Sequence, residues 1–310
     1  MIRVDRRFLE VQHFTSWDAA NGRLLNRVVG AKEEPWINTA IASDAETVAA
    51  TTERGVLIWD GITGRQRHAI RKLPSDPRAL VFSPDGRTLA AGYKDGTVII
   101  WDAATGKQSA RFPGDEMRGE RFAIAALAFS RDGTALASIG SIGVDRGDFH
   151  LHISELRIVG VSRASVPTTM RGCEGESFHC LAFSPDGKTL ASGGALPWDE
   201  KAGNRGLLRF WDVGTGLERA SFPTAGRSIL SVAYSPDGRI LAAADMEWIV
   251  LRDASKGAEL ATLVGKNWNN EFAGIGFSPD GRALASMNRV FRVWRPAAAA
   301  APRPDRARGP

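Results

Sequence analysis

Apolar residues along this chain come in short runs broken by Gly, Asp, Pro and Lys. In FSPDGRTLAAGYKDGTVIIWDAATG (82–106), the runs LAAG and TVIIW are separated by Lys94-Asp95-Gly96. Runs this short, alternating or β-branched and bounded by turn residues, predict strands rather than helices. Ser-Pro-Asp-Gly ahead of the first run suits a type I turn. Proline fixes φ at the second position, the Asp or Ser side chain bonds the local backbone, and glycine takes the left-handed position. Asp102-Ala-Ala-Thr-Gly106 predicts a similar hairpin turn. The run from Thr97 to Trp101 is apolar on both faces, as a strand must be when its sheet lies between two others. One such unit therefore reads as four antiparallel strands, a to d, with Ser-Pro-Asp-Gly between a and b and Trp-Asp ending c.

The unit repeats. Ser-Pro-Asp-Gly recurs at 83–86, 184–187, 235–238 and 278–281, as Ser-Arg-Asp-Gly at 130–133, and in decayed form from Ser43 to Glu46. These six turns mark copies one to six, preceded by a partial opening copy. Trp-Asp phrases begin at Trp17, Trp59, Trp101 and Trp211; Arg252-Asp253 keeps the phrase without its Trp, and Trp294 ends the last copy. Trp17 to Trp59, Trp59 to Trp101 and Arg252 to Trp294 are each 42 residues apart, within the roughly 40–45-residue period of a propeller blade.

With Ser-Pro-Asp-Gly-like turns in register with Trp-Asp-like strand ends, the chain resembles the WD-repeat (WD40) β-propeller family over nearly everything from Trp17 to Trp294. The resemblance implies an all-β propeller of four-stranded antiparallel blades. Seven blades are expected, with a short N-terminal one built from residues 1–29; six is the alternative. Closing the ring without an open edge falls to an N-terminal strand, as the resemblance implies. An initiation site upstream of Met1 would equally account for the short opening copy. The family's supporting tetrad of His, Ser or Thr, Asp and Trp is mostly incomplete: Asp95 and Trp101 match, but Ala91 stands where the hydroxyl belongs and no His precedes Val81. The propeller is expected to fill residues 1–295 as a single domain. Residues 296–310, rich in Pro, Ala and Arg, read as a disordered tail.

Composition narrows the function classes. A chain of 310 residues, 43% hydrophobic and 24% charged, is long enough to bury a large core. No run approaches the roughly 18 apolar residues of a membrane span, and MIRVDRRFLE lacks the apolar region of a secretory signal, so a cytoplasmic chain with no membrane partner is expected. Net charge is +5, but 40 basic residues scattered among 35 acidic ones argue against nucleic acid. Cys173 and Cys180 cannot build a disulfide framework and have no metal-ligand spacing, so they read as reduced thiols. His150 and His152 alternate on a strand after Asp148, yet no third ligand lies near in sequence, and Ser154-Glu155 reads as the worn Trp-Asp pair of copy three. Packing rather than metal is expected there. There is no nucleophile elbow, no dinucleotide fingerprint, no P-loop and no H-E-x-x-H, and no cofactor is expected.

Function is sought where the repetition fails. The b–c loops and d–a crossovers share one edge of the disc; the a–b and c–d turns share the other and hardly vary. The b–c loop grows to Ser138–Asp148 in copy three and Gly194–Gly206 in copy four, and crossovers lengthen at 112–121, 166–177 and 264–271. Variable loops on a fixed scaffold are where binding is usually carried. Asp145, Arg146 and Arg171 in copy three, Trp198, Asp199, Glu200, Lys201 and Arg205 in copy four, and Trp268 beyond copy five form the expected partner-binding set. Trp and Arg are the types enriched at interface hot spots. The expected function is a non-catalytic scaffold, monomeric by itself, that binds a protein partner through these loops. The alternative is a propeller enzyme or small-ligand-binding protein with its site at the central channel.

Overall fold

Strand pairing stays within each copy of the repeat, because each recurring turn folds its flanking strands back on one another. The structure, a computed structural model, describes residues 2–5, 13–17, 23–29, 34–43, 46–114, 116–117, 120–145, 150–161, 168–172, 175–197, 203, 205–224, 227–245, 247–264, 274–287 and 291–295. β1 (Ile2–Asp5), β2 (His13–Trp17) and β3 (Leu24–Val29) form the opening sheet. Copy one holds β4 (Asn38–Ile41), β5 (Thr47–Thr52), β6 (Gly55–Asp60) and β7 (Gln66–Ile70). Copy two holds β8 (Pro77–Phe82), β9 (Thr88–Tyr93), β10 (Val98–Asp102) and β11 (Gln108–Phe112). A short hairpin, β12 (Glu116–Met117) and β13 (Glu120–Arg121), lies in the crossover to copy three. Copy three follows with β14 (Ala123–Phe129), β15 (Ala135–Asp145), β16 (His150–Gly160) and β17 (Thr168–Arg171). Copy four has β18 (Ser177–Phe183), β19 (Thr189–Ala195), β20 (Gly206–Asp212) and β21 (Glu218–Pro223). Copy five has β22 (Ser231–Tyr234), β23 (Ile240–Ala244), β24 (Trp248–Asp253) and β25 (Glu259–Val264). Copy six ends with β26 (Gly274–Phe277), β27 (Leu284–Met287) and β28 (Phe291–Trp294).

All pairings are antiparallel, and the described residues contain no helix and hence no helix long and apolar enough to cross a membrane. The expected strand addition from the N-terminus to the final sheet is not what the pairing gives. β1 pairs with β2 of its own sheet, Ile2 opposite Ser16 and Val4 opposite Phe14, and among the described residues β28 has only β27 as a partner.

Strand alternation explains how the sheets stack. In β10, Ile99 and Trp101 enter a core shared with copy one, while Val98 and Ile100 enter a core shared with copy three. The strand is apolar on both faces because its sheet has a neighbour on each side. The same division recurs in β6, β20 and β23, so consecutive copies pack face to face. At the opening sheet, Phe14 is fully buried against Trp36 and Trp59.

The tetrad is partly rebuilt elsewhere. Ala91 offers Trp101 no hydroxyl, but Trp211 Nε1 donates to Ser192 Oγ (2.8 Å) and Trp294 Nε1 to Ser286 Oγ (3.0 Å).

The turns are near-identical. Ser83 Oγ donates to Asp85 Oδ1 (2.6 Å), the Arg87 and Thr88 backbone N–H groups donate to Asp85 Oδ1 and Ser83 Oγ, and Gly86 sits at φ 71°. Asp132, Asp186, Asp237 and Asp280 accept the same hydroxyl and backbone bonds. Each carboxyl is held below its ordinary value, first by the serine hydroxyl and then by the backbone N–H. A carboxyl whose folded pKa is depressed adds stability that is complete above its unfolded value of 3.8 and is lost as pH falls through the folded one. The thermal midpoint is therefore expected to stay level from neutrality to about pH 5 and to drop below about pH 4. Asp85→Asn with Asp237→Asn should flatten that drop; an unchanged acid limb in calorimetry would remove the turns as its source.

Candidate interaction surface

The b–c edge of copies three and four carries the largest departures from the repeat. Ser138–Asp148, expected as a loop, is instead mostly strand. β15 and β16 pair without interruption from Ala135 opposite Gly160 to Asp145 opposite His150. The reason lies in the β-branched, alternating text on both sides, SIGVD and HLHIS, which lets the backbone satisfy itself as a ladder. The hairpin arm is footed on Phe122, which packs with Ile142 and Ile153 in a separate apolar cluster.

The arm also moves the Trp-Asp register. Leu89 faces Trp101 and Leu190 faces Trp211, and in copy three the matching Leu136 faces Val159. Val159-Gly160 thus holds the place assigned to Ser154-Glu155, which lie inside the arm. Ser154 is buried and links copies: its Oγ accepts the Phe178 N–H (3.1 Å) and its carbonyl the Gly172 N–H (3.2 Å).

Under the copy-four rim lies a buried ion pair. Glu176, just ahead of β18, accepts from Arg209 of β20 at 2.6 Å; Arg209 also meets Glu218 at 3.0 Å and lies over the Trp211 ring at 5.7 Å. Breaking such a pair leaves a buried charge alone, at a cost of about 3–5 kcal/mol, so it fixes the rim's floor. Sequence reading missed it. Its signal was an Arg two residues before the Trp position, which recurs as Arg157, Arg209 and Arg292.

The expected partner-binding residues are only partly described. Arg205 is exposed immediately before β20, and its carbonyl accepts the Leu196 N–H (2.9 Å), extending the ladder of β19 and β20 outward. Asp145 ends β15 opposite His150, and Arg171 ends β17 opposite Glu155. Arg146, Trp198, Asp199, Glu200, Lys201 and Trp268 lie outside the described residues, as does Cys173. Cys180 is buried, its thiol donating to the Gly193 and Ile229 carbonyls, and burial pushes its pKa up to about 12. Such a thiol is inert near neutrality. Among the described residues, no group of three or more His, Cys, Asp or Glu side chains is placed to hold a metal ion.

Comparison with known proteins agrees with this architecture. Residues 69–102 and 165–212 match the sequence model of the WD domain, G-beta repeat. The chain is 26% identical over 225 residues to apoptotic protease-activating factor 1 of Rattus norvegicus, covering 69% of this chain and 16% of that protein. Its Homo sapiens counterpart is 33% identical over 132 residues, 40% of this chain and 9% of that protein. Autophagy-related protein 16 of Arabidopsis thaliana is 26% identical over 232 residues, 74% of this chain and 41% of that protein. The chain thus spans less than half the length of each of these relatives. With its Trp-Asp phrases at strand ends and its Ser-Pro-Asp-Gly turns, the chain is similar to the WD-repeat proteins and carries the repeat at residues 69–102 and 165–212.

Proposed function

We propose that this chain is a non-catalytic interaction scaffold that binds a protein partner through the b–c edge of copies three and four. WD repeats generally mediate protein–protein interaction and are typically non-catalytic; the fold alone does not fix the function. The observation that carries the reading is one-sidedness. The arm of β15 and β16, the hairpin of β12 and β13 and the rim at Arg205 all belong to the same edge, while the opposite edge repeats the same two kinds of turn. A hydrogen-bonded ladder that ends in an exposed Arg has little backbone freedom of its own left to lose on docking.

The scaffold is proposed to be a single domain through Arg295, arranged as a seven-bladed ring. Among the described residues, seven sheets of three or four strands, consecutive ones sharing a core, support this. So do contacts between turns of different copies: Ser43 Oγ donates to the Pro84 carbonyl, and Arg131, where other turns have proline, donates to Pro236 O two copies on (3.1 Å). Among the described residues the opening sheet has no a strand and the last no d strand, so closure is assigned to the packing of these two. The proposed setting is cytoplasmic, with the chain alone a monomer.

Affinity capture from native lysate, comparing wild type with Trp198→Ala, Arg205→Glu and Trp268→Ala combined, tests the surface. Specific proteins should be held by the wild type and lost from the variant. Its thermal midpoint should move by no more than roughly 2–4 °C. An identical captured set would overturn the assignment.

A further inference from the structure

A second surface lies on the opposite edge, between copies four and five. At the position before the turn serine, Phe82, Phe129, Phe183 and Phe277 are phenylalanine, but copy five has Tyr234. Its hydroxyl is buried with no hydrogen-bond partner, in the electrostatic reach of Asp186 and Arg219. Tyr234, Asp186 and Arg219 also line a cleft of about 660 Å³, together with Asp237 and the rings of Phe210 and Phe222, whose centroids are 5.8 Å apart and nearly perpendicular. An orphaned buried hydroxyl is costly, and here it belongs to a residue that lines a space large enough for a guest.

The charges select the guest. Asp186 and Asp237 face the cleft from the two a–b turns, and their turn bonds engage Oδ1, leaving Oδ2 to accept from outside. Arg219 is already neutralised by Asp212 and donates to Thr189. Lys188 and Arg239 follow the two aspartates in sequence but do not line the cleft. Two carboxylates, with the one lining cation, Arg219, already paired to Asp212, beside aromatic walls and a hydroxyl still without a partner, fit a planar guanidinium. It offers several N–H donors, and its stem can lie on the rings.

We infer that this cleft takes an arginine side chain presented by a peptide segment of a partner, at a site separate from the b–c edge. Fluorescence anisotropy with labelled Gly-Ala-Arg-Ala-Gly, and with the same peptide carrying citrulline, tests it on the full chain. The arginine peptide should bind saturably and the uncharged isostere at least about tenfold more weakly. Asp186→Asn with Asp237→Asn should weaken the arginine peptide by a similar factor. Tyr234→Phe restores the residue of the other copies; it should bind several-fold more weakly while its thermal midpoint equals or exceeds that of the wild type. Arg205→Glu should leave this binding unchanged, which separates it from the scaffold surface. Equal binding of the two peptides, no saturable binding, or undiminished binding by Tyr234→Phe and the Asn variant would overturn the inference. Binding seen only after removal of residues 296–310 would assign the cleft to the chain's own arginine-bearing tail and would equally overturn it.

Discussion

Replacing Phe14 by Ala is expected to destabilise the chain by about 3–5 kcal/mol, which at this size lowers the thermal midpoint by roughly 10 °C. Phe14 is fully buried although it belongs to the incomplete opening sheet, and its ring lies 6.2 Å from Trp36 and 6.0 Å from Trp59, which are themselves 5.3 Å apart. Truncation leaves a void between two indole rings, that of Trp59 held in β6 and that of Trp36 just ahead of β4. Removing residues 1–29 should cost more still, because Trp36, Val48 and Trp59 of copy one would lose their cover. Calorimetry on both variants checks this. A midpoint within about 2 °C of wild type for the deletion would show that the opening sheet contributes nothing to the fold.

Gly194→Ala should be the most damaging of the small substitutions on the b–c edge. A Cβ at Gly194 would point into the backbone of β18, onto the Ser177 carbonyl oxygen and within 2.7 and 2.9 Å of Ser177 C and Phe178 Cα. Backbone cannot swing aside as a side chain does, and here it leads into the bulge between Phe178 and Cys180. Overpacking of this kind costs about 1–3 kcal/mol, and the upper end is expected. Gly143→Ala, in β15 with nothing near its would-be Cβ, should stay within about 0.5 kcal/mol of wild type. Urea midpoints for the pair give the contrast; equal midpoints would mean that β18 and β19 yield freely at Gly194.

The turns and two-faced strands were legible because their chemistry is local. Ser83 to Gly86 closes its own hydrogen bonds, and Val98 to Trp101 carries its environment in its alternation. Non-local features were not readable in this way. Ile142 sits in text that reads as a long loop, and only its packing with Phe122 and Ile153 shows the arm. Pairing of β1 with β2 rather than with the last sheet depends on a register that no motif announces. Trp36 belongs to no recurring phrase, yet it seals the opening sheet. Of the candidate site, sequence pointed to the edge that carries the arm, because length variation is itself visible. The buried Glu176 and Arg209 pair beneath it joins residues that are distant in sequence. Tyr234 was hidden by its likeness to the phenylalanines it replaces.

The most direct test of the scaffold assignment is site-specific photocrosslinking in lysate, with benzoylphenylalanine at position 205 on the b–c edge or at position 260 on the outer strand β25, where Leu260 is exposed. Crosslinks to a discrete partner from position 205, and none from position 260, are expected. A partner that co-purifies yet crosslinks from position 260 and not from 205 would contradict the proposed binding edge.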